Sequence, residues 1–141
     1  MTQRDTEGSD EERDARIEAT LRRVYDAYSR GDFDETAKAF HPDIELLPAG
    51  GQPPIKRDRI RAWMEPDAFE EQALQPVDFR FAGHKVLVRV RARARGTGSG
   101  IQLDFYSWGV WTFDADGLAT RVEIYLDHQE AQALDAAGAP T

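Results

Sequence analysis

The chain has 141 residues and no cysteine, and its 26 acidic against 18 basic side chains give a formal net charge of −8. That length suits one domain with its own core, and the missing thiols exclude disulfides, thiolate nucleophiles and cysteine metal sites. The acidic balance disfavours nucleic acid, whose phosphates need a basic surface. No apolar run approaches the ~20 residues of a membrane helix, and the polar start carries no secretory signal. Cytoplasmic residence with no membrane partner is therefore expected.

Positions 1–14 carry six acids against two arginines, half of the net charge. Poor in aliphatic side chains, residues 1–12 are expected to form a disordered acidic tail. Ser9 with Glu12 fits a capping box, and a helix follows to Arg30. Its Ile17, Leu21, Val24, Tyr25 and Tyr28 fall on one stripe. Gly31 is placed to end it. Asp32 with Glu35 caps a second, shorter helix that turns Phe33, Thr36, Ala37 and Phe40 inward, and His41-Pro42 stops it. Residues 44–47 read as a short strand ended by Pro48, and 49–56 as a loop rich in Gly and Pro. A short helix at 58–65 puts Ile60, Trp63 and Met64 on one side, and Pro66 ends it. On a strand at 74–81, Val77, Phe79 and Phe81 alternate with Asp78 and Arg80.

The strongest pattern lies at 85–127. Over 85–95, Val86, Val88, Val90, Ala92 and Ala94 alternate with Arg89, Arg91, Arg93 and Arg95. Period two over that length means a strand with one dry and one charged face. Gly96-Thr97-Gly98-Ser99-Gly100 turns the chain. Over 101–113, Ile101, Leu103, Phe105, Ser107, Gly109, Trp111 and Phe113 share one face, and Tyr106, Trp108 and Val110 the other. A turn at 114–117 leads to a strand at 118–126. There Thr120, Val122, Ile124 and Leu126 oppose Arg121, Glu123 and Tyr125. Asp127 and Glu130 cap a last helix that fades at Gly138.

This order predicts an α+β domain over 13–137: a cone-shaped, curved antiparallel sheet packed on the N-terminal helices. The middle strand of the hairpins is apolar on both faces, and little chain remains to cover the second. A second copy on the outer sheet face, with the arginine row at its rim, is the expected partner. Scattered exposed aromatics beside a solvated charged face are the alternative.

The run Leu21-Arg22-Arg23-Val24-Tyr25-Asp26-Ala27-Tyr28-Ser29-Arg30-Gly31-Asp32-Phe33, then Phe40-His41-Pro42-Asp43-Ile44-Glu45, resembles the opening of SnoaL-like domains. The close from Gly117, with Tyr125 and Asp127, resembles their ending. These domains share a cystatin-like, cone-shaped fold with nuclear transport factor two, ketosteroid isomerase, polyketide cyclases and limonene epoxide hydrolase. The resemblance spans about residues 13–137. It implies a pocket inside the cone and a homodimer through the outer sheet face. It does not fix the function, because that fold hosts isomerases, cyclases, hydrolases, dehydratases and plain binders.

Ketosteroid-isomerase chemistry needs a base and an oxyanion donor. The matching positions, Val24, Leu47 or Pro48, and Gly109, supply neither. Epoxide hydrolysis needs an arginine and two aspartates on a water. The matching inward positions are Val90, Ala92 and Ile124, because the arginines lie in the opposite phase. A one-residue slip would reverse that. The remaining candidates for acid–base chemistry are Tyr25, Glu45 and Ser107. Tyr28, Trp63, Phe69, Phe105, Trp111 and Ile124 either line a pocket for an apolar ligand or fill the core. Ser107 on a dry face serves a ligand or, like Gly109, relieves crowding where the sheet bends. His41, His84 and His128 lack the paired spacing of a metal site, and no cofactor is expected. Two functions stay open. One is binding of a small apolar molecule with cofactor-independent isomerase, cyclase or hydrolase chemistry. The other is a non-catalytic ligand-binding or dimeric assembly module.

Overall fold

The structure, a computed structural model, describes residues 2–64 and 69–138, and of 2–9 and 69–71 the backbone alone. Helix α1 spans Thr2–Ser29. Its backbone is helical through the residues expected as an acidic tail and through the expected Ser9 cap. Gly31, at φ +78°, closes it. The Asp32 N–H donates to the Ala27 carbonyl at 2.8 Å and the Gly31 N–H to that of Tyr28 at 3.0 Å. This paired closure needs the left-handed conformation that glycine adopts freely. Asp32 then caps α2, Phe33–Ala37, by accepting from the Glu35 N–H at 3.2 Å.

Six strands follow: β1 Phe40–Leu47, β2 Ile55–Lys56, β3 Phe69–Ala82, β4 Lys85–Gly96, β5 Gln102–Phe113 and β6 Ala119–Leu126. Helix α3, Arg57–Met64, lies between β2 and β3; a 3-10 turn, Asp127–Gln129, and α4, Glu130–Ala137, follow β6. The sheet order is β2-β1-β6-β5-β4-β3. The expected α+β architecture is present, with one departure: β1 pairs parallel with β6, so the sheet is mixed. Strand β1 also begins at Phe40, where 44 was expected. His41-Pro42 lies inside it, at a register irregularity between Phe40 and Glu45. A proline is tolerated there because the ladder is already broken.

The hairpin phase follows the sequence pattern. Val86 pairs with Trp111, Val88 with Gly109, Val90 with Ser107 and Ala92 with Phe105. These residues share the inner face, where Val86, Val88, Val90, Trp111 and Phe113 pack with Leu21, Val24 and Tyr25 of α1. Strand β3 does not keep one phase. Pro76 pairs with Val90 and Asp78 with Arg89, which leaves Val77 as an extra residue. Leu74 precedes this bulge on the inner face; Phe79 and Phe81 follow it there, and Val77 is 47% exposed instead of inward. A bulge both flips the phase and bends the strand, as a curved sheet requires. The end of α1 covers the free edge of β3. The Ser29 hydroxyl accepts from the Leu74 N–H at 3.0 Å and donates to its carbonyl at 3.2 Å.

The outer face is partly covered from within the chain, contrary to expectation. Helix α4 lays Ala133, Leu134 and Ala137 on Leu87, Trp108 and Val110. The two alanines, one turn apart, allow close approach. The Lys85 ammonium donates to the Ala136 carbonyl at 2.8 Å, satisfying an otherwise free helix-end acceptor.

Candidate functional site

The inner face of β5 runs from dry to wet. Phe113 and Trp111 are buried, Gly109 is buried, Ser107 is half-buried, and Phe105 is 48% exposed. The helical layer therefore reaches as far as Ser107 and stops. Beyond it Leu103 and Phe105 stand open, and the neighbouring β6 end adds exposed Leu126, which pairs with Ser107. A strip of apolar surface beside a half-buried hydroxyl is a place where a small molecule can bury carbon and keep one polar contact.

At the dry end of this strip Tyr25 meets Trp111. The Trp111 indole N–H donates to the Tyr25 oxygen at 2.9 Å, and the rings meet edge-on at 5.9 Å. Trp111 also packs on Phe113 at 6.2 Å and Phe40 at 6.3 Å. Gly109 makes this meeting possible. A β-carbon there would come within 3.3 Å of the Tyr25 oxygen and 3.2 Å of the Trp111 Nε1. Burial raises the Tyr25 pKa well above its ordinary value, and the Trp111 N–H pulls it back part of the way. Tyr25 is therefore a neutral donor. Its oxygen accepts from Trp111, yet among the described residues no acceptor takes its own proton. Buried tyrosine hydroxyls usually find such a partner. Ser107 lies two residues from Gly109 on the same face, about 7 Å along the strand. Its hydroxyl likewise makes no hydrogen bond among the described residues.

The other sequence candidates scatter. Tyr28 packs edge-on against Phe33 at 5.6 Å and donates its hydroxyl to Gln72 at 2.6 Å, and burial raises its pKa. Ile124 pairs with Gly109 on the inner face. Trp63 is 40% exposed, whereas Ile60 and Met64 of the same helix are buried. The Phe69 side chain lies outside the described residues. Glu45 is on the wrong face. It sits between Ile44 and Leu46, which are core residues, so it points outward. There it pairs with Lys56 at 2.8 Å and lies beside Arg121. Tyr25 and Ser107 thus share a face, and Glu45 does not join them.

The arginine row also faces out. The Arg89 guanidinium lies 4.2 Å from the Trp108 ring and 4.8 Å from the Tyr106 ring. Arg91 binds Asp104 through two hydrogen bonds, 3.0 and 2.6 Å. The Arg91 contact holds the Asp104 carboxyl below its ordinary 3.8, and the Lys56 contact holds Glu45 below 4.5. Depressed carboxylates add stability above their unfolded pKa, and that contribution is lost as pH falls through the folded value. Stability should therefore begin to drop below about pH 4.5, and Glu45→Gln with Asp104→Asn should flatten that slope in acid titrations followed by circular dichroism. Both carboxylates face solvent, so the change is small.

Sequence reasoning missed a polar group on the outer face of β6. Arg121, Glu123 and Tyr125 alternate on that strand, and Glu123 accepts from the Arg121 Nε at 2.7 Å and from the Tyr125 hydroxyl at 3.0 Å. The Arg-x-Glu-x-Tyr spacing was the available signal. Among the described residues, no group of three or more His, Asp or Glu could hold a metal ion. No described helix is long and apolar enough to cross a membrane.

No curated protein matches this chain by sequence. Among solved structures, TerC co-crystallized with polyporic acid is 20% identical, with a TM-score of 0.69 over 84% of this chain and 96% of that one. An NTF2-like protein of unknown function from Burkholderia pseudomallei K96243 is 22% identical, with a TM-score of 0.68 over 87% and 98%. The epoxide hydrolase/cyclase-like enzyme SalBIII, of pyran ring formation in polyether salinomycin, is 15% identical, with a TM-score of 0.71 over 79% and 91%. At such identities the likeness concerns the fold. In sequence, the model of the SnoaL-like domain matches residues 21–122, most of the chain and all of the Tyr25, Gly109 and Trp111 arrangement. A cone of this architecture, matched over that span, makes the chain a member of the SnoaL-like domain family.

Proposed function

We propose that the inner face of β5 and β6 binds a small, largely apolar molecule that carries a carbonyl or hydroxyl oxygen. The Tyr25 proton, buried and without an acceptor among the described residues, supports this reading most strongly. An oxygen brought to it gains a hydrogen bond that no protein group competes for. Ser107 offers a second polar contact at the edge of the helical layer, and Phe105, Ile124 and Leu126 supply apolar surface. Glu45 takes no part, being on the other face. With no carboxylate on this strip among the described residues, the chemistry open to it is acid catalysis by the neutral Tyr25 phenol, which stabilises a developing oxyanion.

Polyporic acid, co-crystallized with TerC, is a suitable first probe. At a hundredfold excess over Kd, a ligand bound to the folded state stabilises by about 2.7 kcal/mol, so Tm should rise by roughly 10 °C. Tyr25→Phe keeps the ring and should weaken binding about tenfold, the size of one buried hydrogen bond. An unchanged affinity in Tyr25→Phe would remove the tyrosine from the site. A second copy of the chain is the partner proposed for the outer surface that α4 leaves open around Tyr106, Arg91 and Asp104. Light scattering of the purified protein reads this directly; a monomer at all concentrations sinks it.

A further inference from the structure

A cavity of about 470 Å³ lies on the outer side of β1 and β6, on the face opposite Tyr25. Its walls are α4 and the Gly50-Gly51 loop, and Leu47 and Pro48 contribute apolar surface. Its chemistry differs from that of the inner face. Glu123, 8% exposed, is fully engaged: Arg121 and Tyr125 both donate to it. Partial burial first, then the Glu123 carboxylate, push Tyr125 up to about 12, so its proton stays on that contact. Two side chains around this buried carboxylate keep unused hydrogen-bonding capacity. Arg121 uses its Nε on Glu123, and among the described residues its terminal amino groups have no partner. Asp135, close enough to act on the Tyr125 hydroxyl, has no side-chain partner among the described residues. Both are exposed, so they stand where the cavity meets solvent.

The unbonded amino groups of Arg121, which is ion-paired to Glu123 through Nε, and the Asp135 carboxylate lie on the same cavity and favour a ligand that carries both signs. A single-sign ligand would meet a like charge at the other group. The volume exceeds that of one amino acid. The carboxamides of Gln52, Gln129 and Gln132 line the same space. Gln129 already accepts from the Leu126 N–H through its oxygen, so its amino group is the part left to donate. Carboxamides of this kind pair with the N–H and C=O of a peptide group. We propose that this outer cavity binds a dipeptide-sized zwitterion, its carboxylate on Arg121, its ammonium on Asp135, and its central amide among the glutamines.

The test uses glycyl-leucine as the probe, titrated into the full 15N-labelled protein. N-acetylglycyl-leucine lacks the ammonium, and glycyl-leucinamide lacks the carboxylate. Saturable shifts are expected at Gly50, Gly51 and Gln132, with Ser107 and Gly109 unmoved. Each capped form should bind about fivefold more weakly, the upper range for one exposed ion pair. Asp135→Asn should weaken glycyl-leucine by the same factor and leave the acetylated form unchanged. Arg121→Gln should do the converse against the leucinamide. If Arg121→Gln fails to fold because Glu123 loses its partner, Asp135→Asn still decides, since its side chain has no contact to lose. Equal binding of all three compounds overturns the proposal, as does absence of saturable shifts. Loss of glycyl-leucine binding in Tyr25→Phe would also overturn it, by placing the ligand on the inner face. Failure here leaves the inner-face reading untouched, because the two sites share neither Tyr25 nor Ser107.

Discussion

Trp111→Ala should lower the unfolding free energy by about 3–5 kcal/mol, the range for deleting a large buried aromatic. Trp111 is 5% exposed and touches Tyr25 of α1, Phe40 of β1 and Phe113 of its own strand, so two other elements lean on it. The deletion also strips the Tyr25 oxygen of its donor. For a domain of this size the midpoint of thermal unfolding should fall by 10 °C or more. Trp111→Phe is the control. It keeps much of the volume and removes the N–H, so it should cost about 1–3 kcal/mol, the desolvation of one unpaired polar group. Calorimetry of the three proteins gives the order. A Trp111→Ala protein as stable as wild type would mean that the inner core closes without the indole.

Gly109→Ala should destabilise by about 1–3 kcal/mol through overpacking. The added methyl would meet the Trp111 Nε1 at 3.2 Å and the Tyr25 oxygen at 3.3 Å. Those distances require a shift of a few tenths of an ångström. Neither ring can give freely: Trp111 is held by two aromatic neighbours, and Tyr25 is buried in the helix that backs it. The shift should lengthen the Tyr25–Trp111 hydrogen bond and re-aim the tyrosine proton. Urea unfolding should show the stability loss, and affinity for an inner-face ligand should fall with it. Stability equal to wild type would show that the rings have room to spare. Ordinary backbone conformation at Gly109 makes this a clean steric test, because no positive φ confounds it.

Much of the fold was legible because one physical signal is strong. Alternation over 85–126 leaves a strand no other way to bury its valines, and the arginines must then face out. The structure keeps that phase throughout β4 and β5. Helix ends were legible where chemistry is local, as at Gly31 and Asp32. The bulge was not. Val77, Phe79 and Phe81 alternate smoothly in sequence, and a single extra residue at Pro76-Val77 leaves no mark on that pattern. Nor was the parallel pairing of β1 with β6 legible, since it joins segments far apart in the chain. The cover on the outer face was hidden in a short helix whose contact residues are two alanines and one leucine. Of the site, Tyr25 and Ser107 could be placed from the stripe and the strand phase. Glu45 was misjudged although its neighbours held the answer: Ile44 and Leu46 both had to be buried.

Everything proposed for the inner face depends on β5 presenting its odd residues to the helices and its even ones outward. The three tryptophans report on this separately: Trp111 lies inside, Trp108 lies under α4, and Trp63 is exposed on α3. Titrating the labelled protein with polyporic acid and following the three indole N–H resonances therefore reads the face that the ligand takes. The Trp111 resonance should shift with saturation while the Trp108 resonance stays in place. Movement of Trp108 with Trp111 fixed would contradict the account and put the apolar ligand on the arginine face.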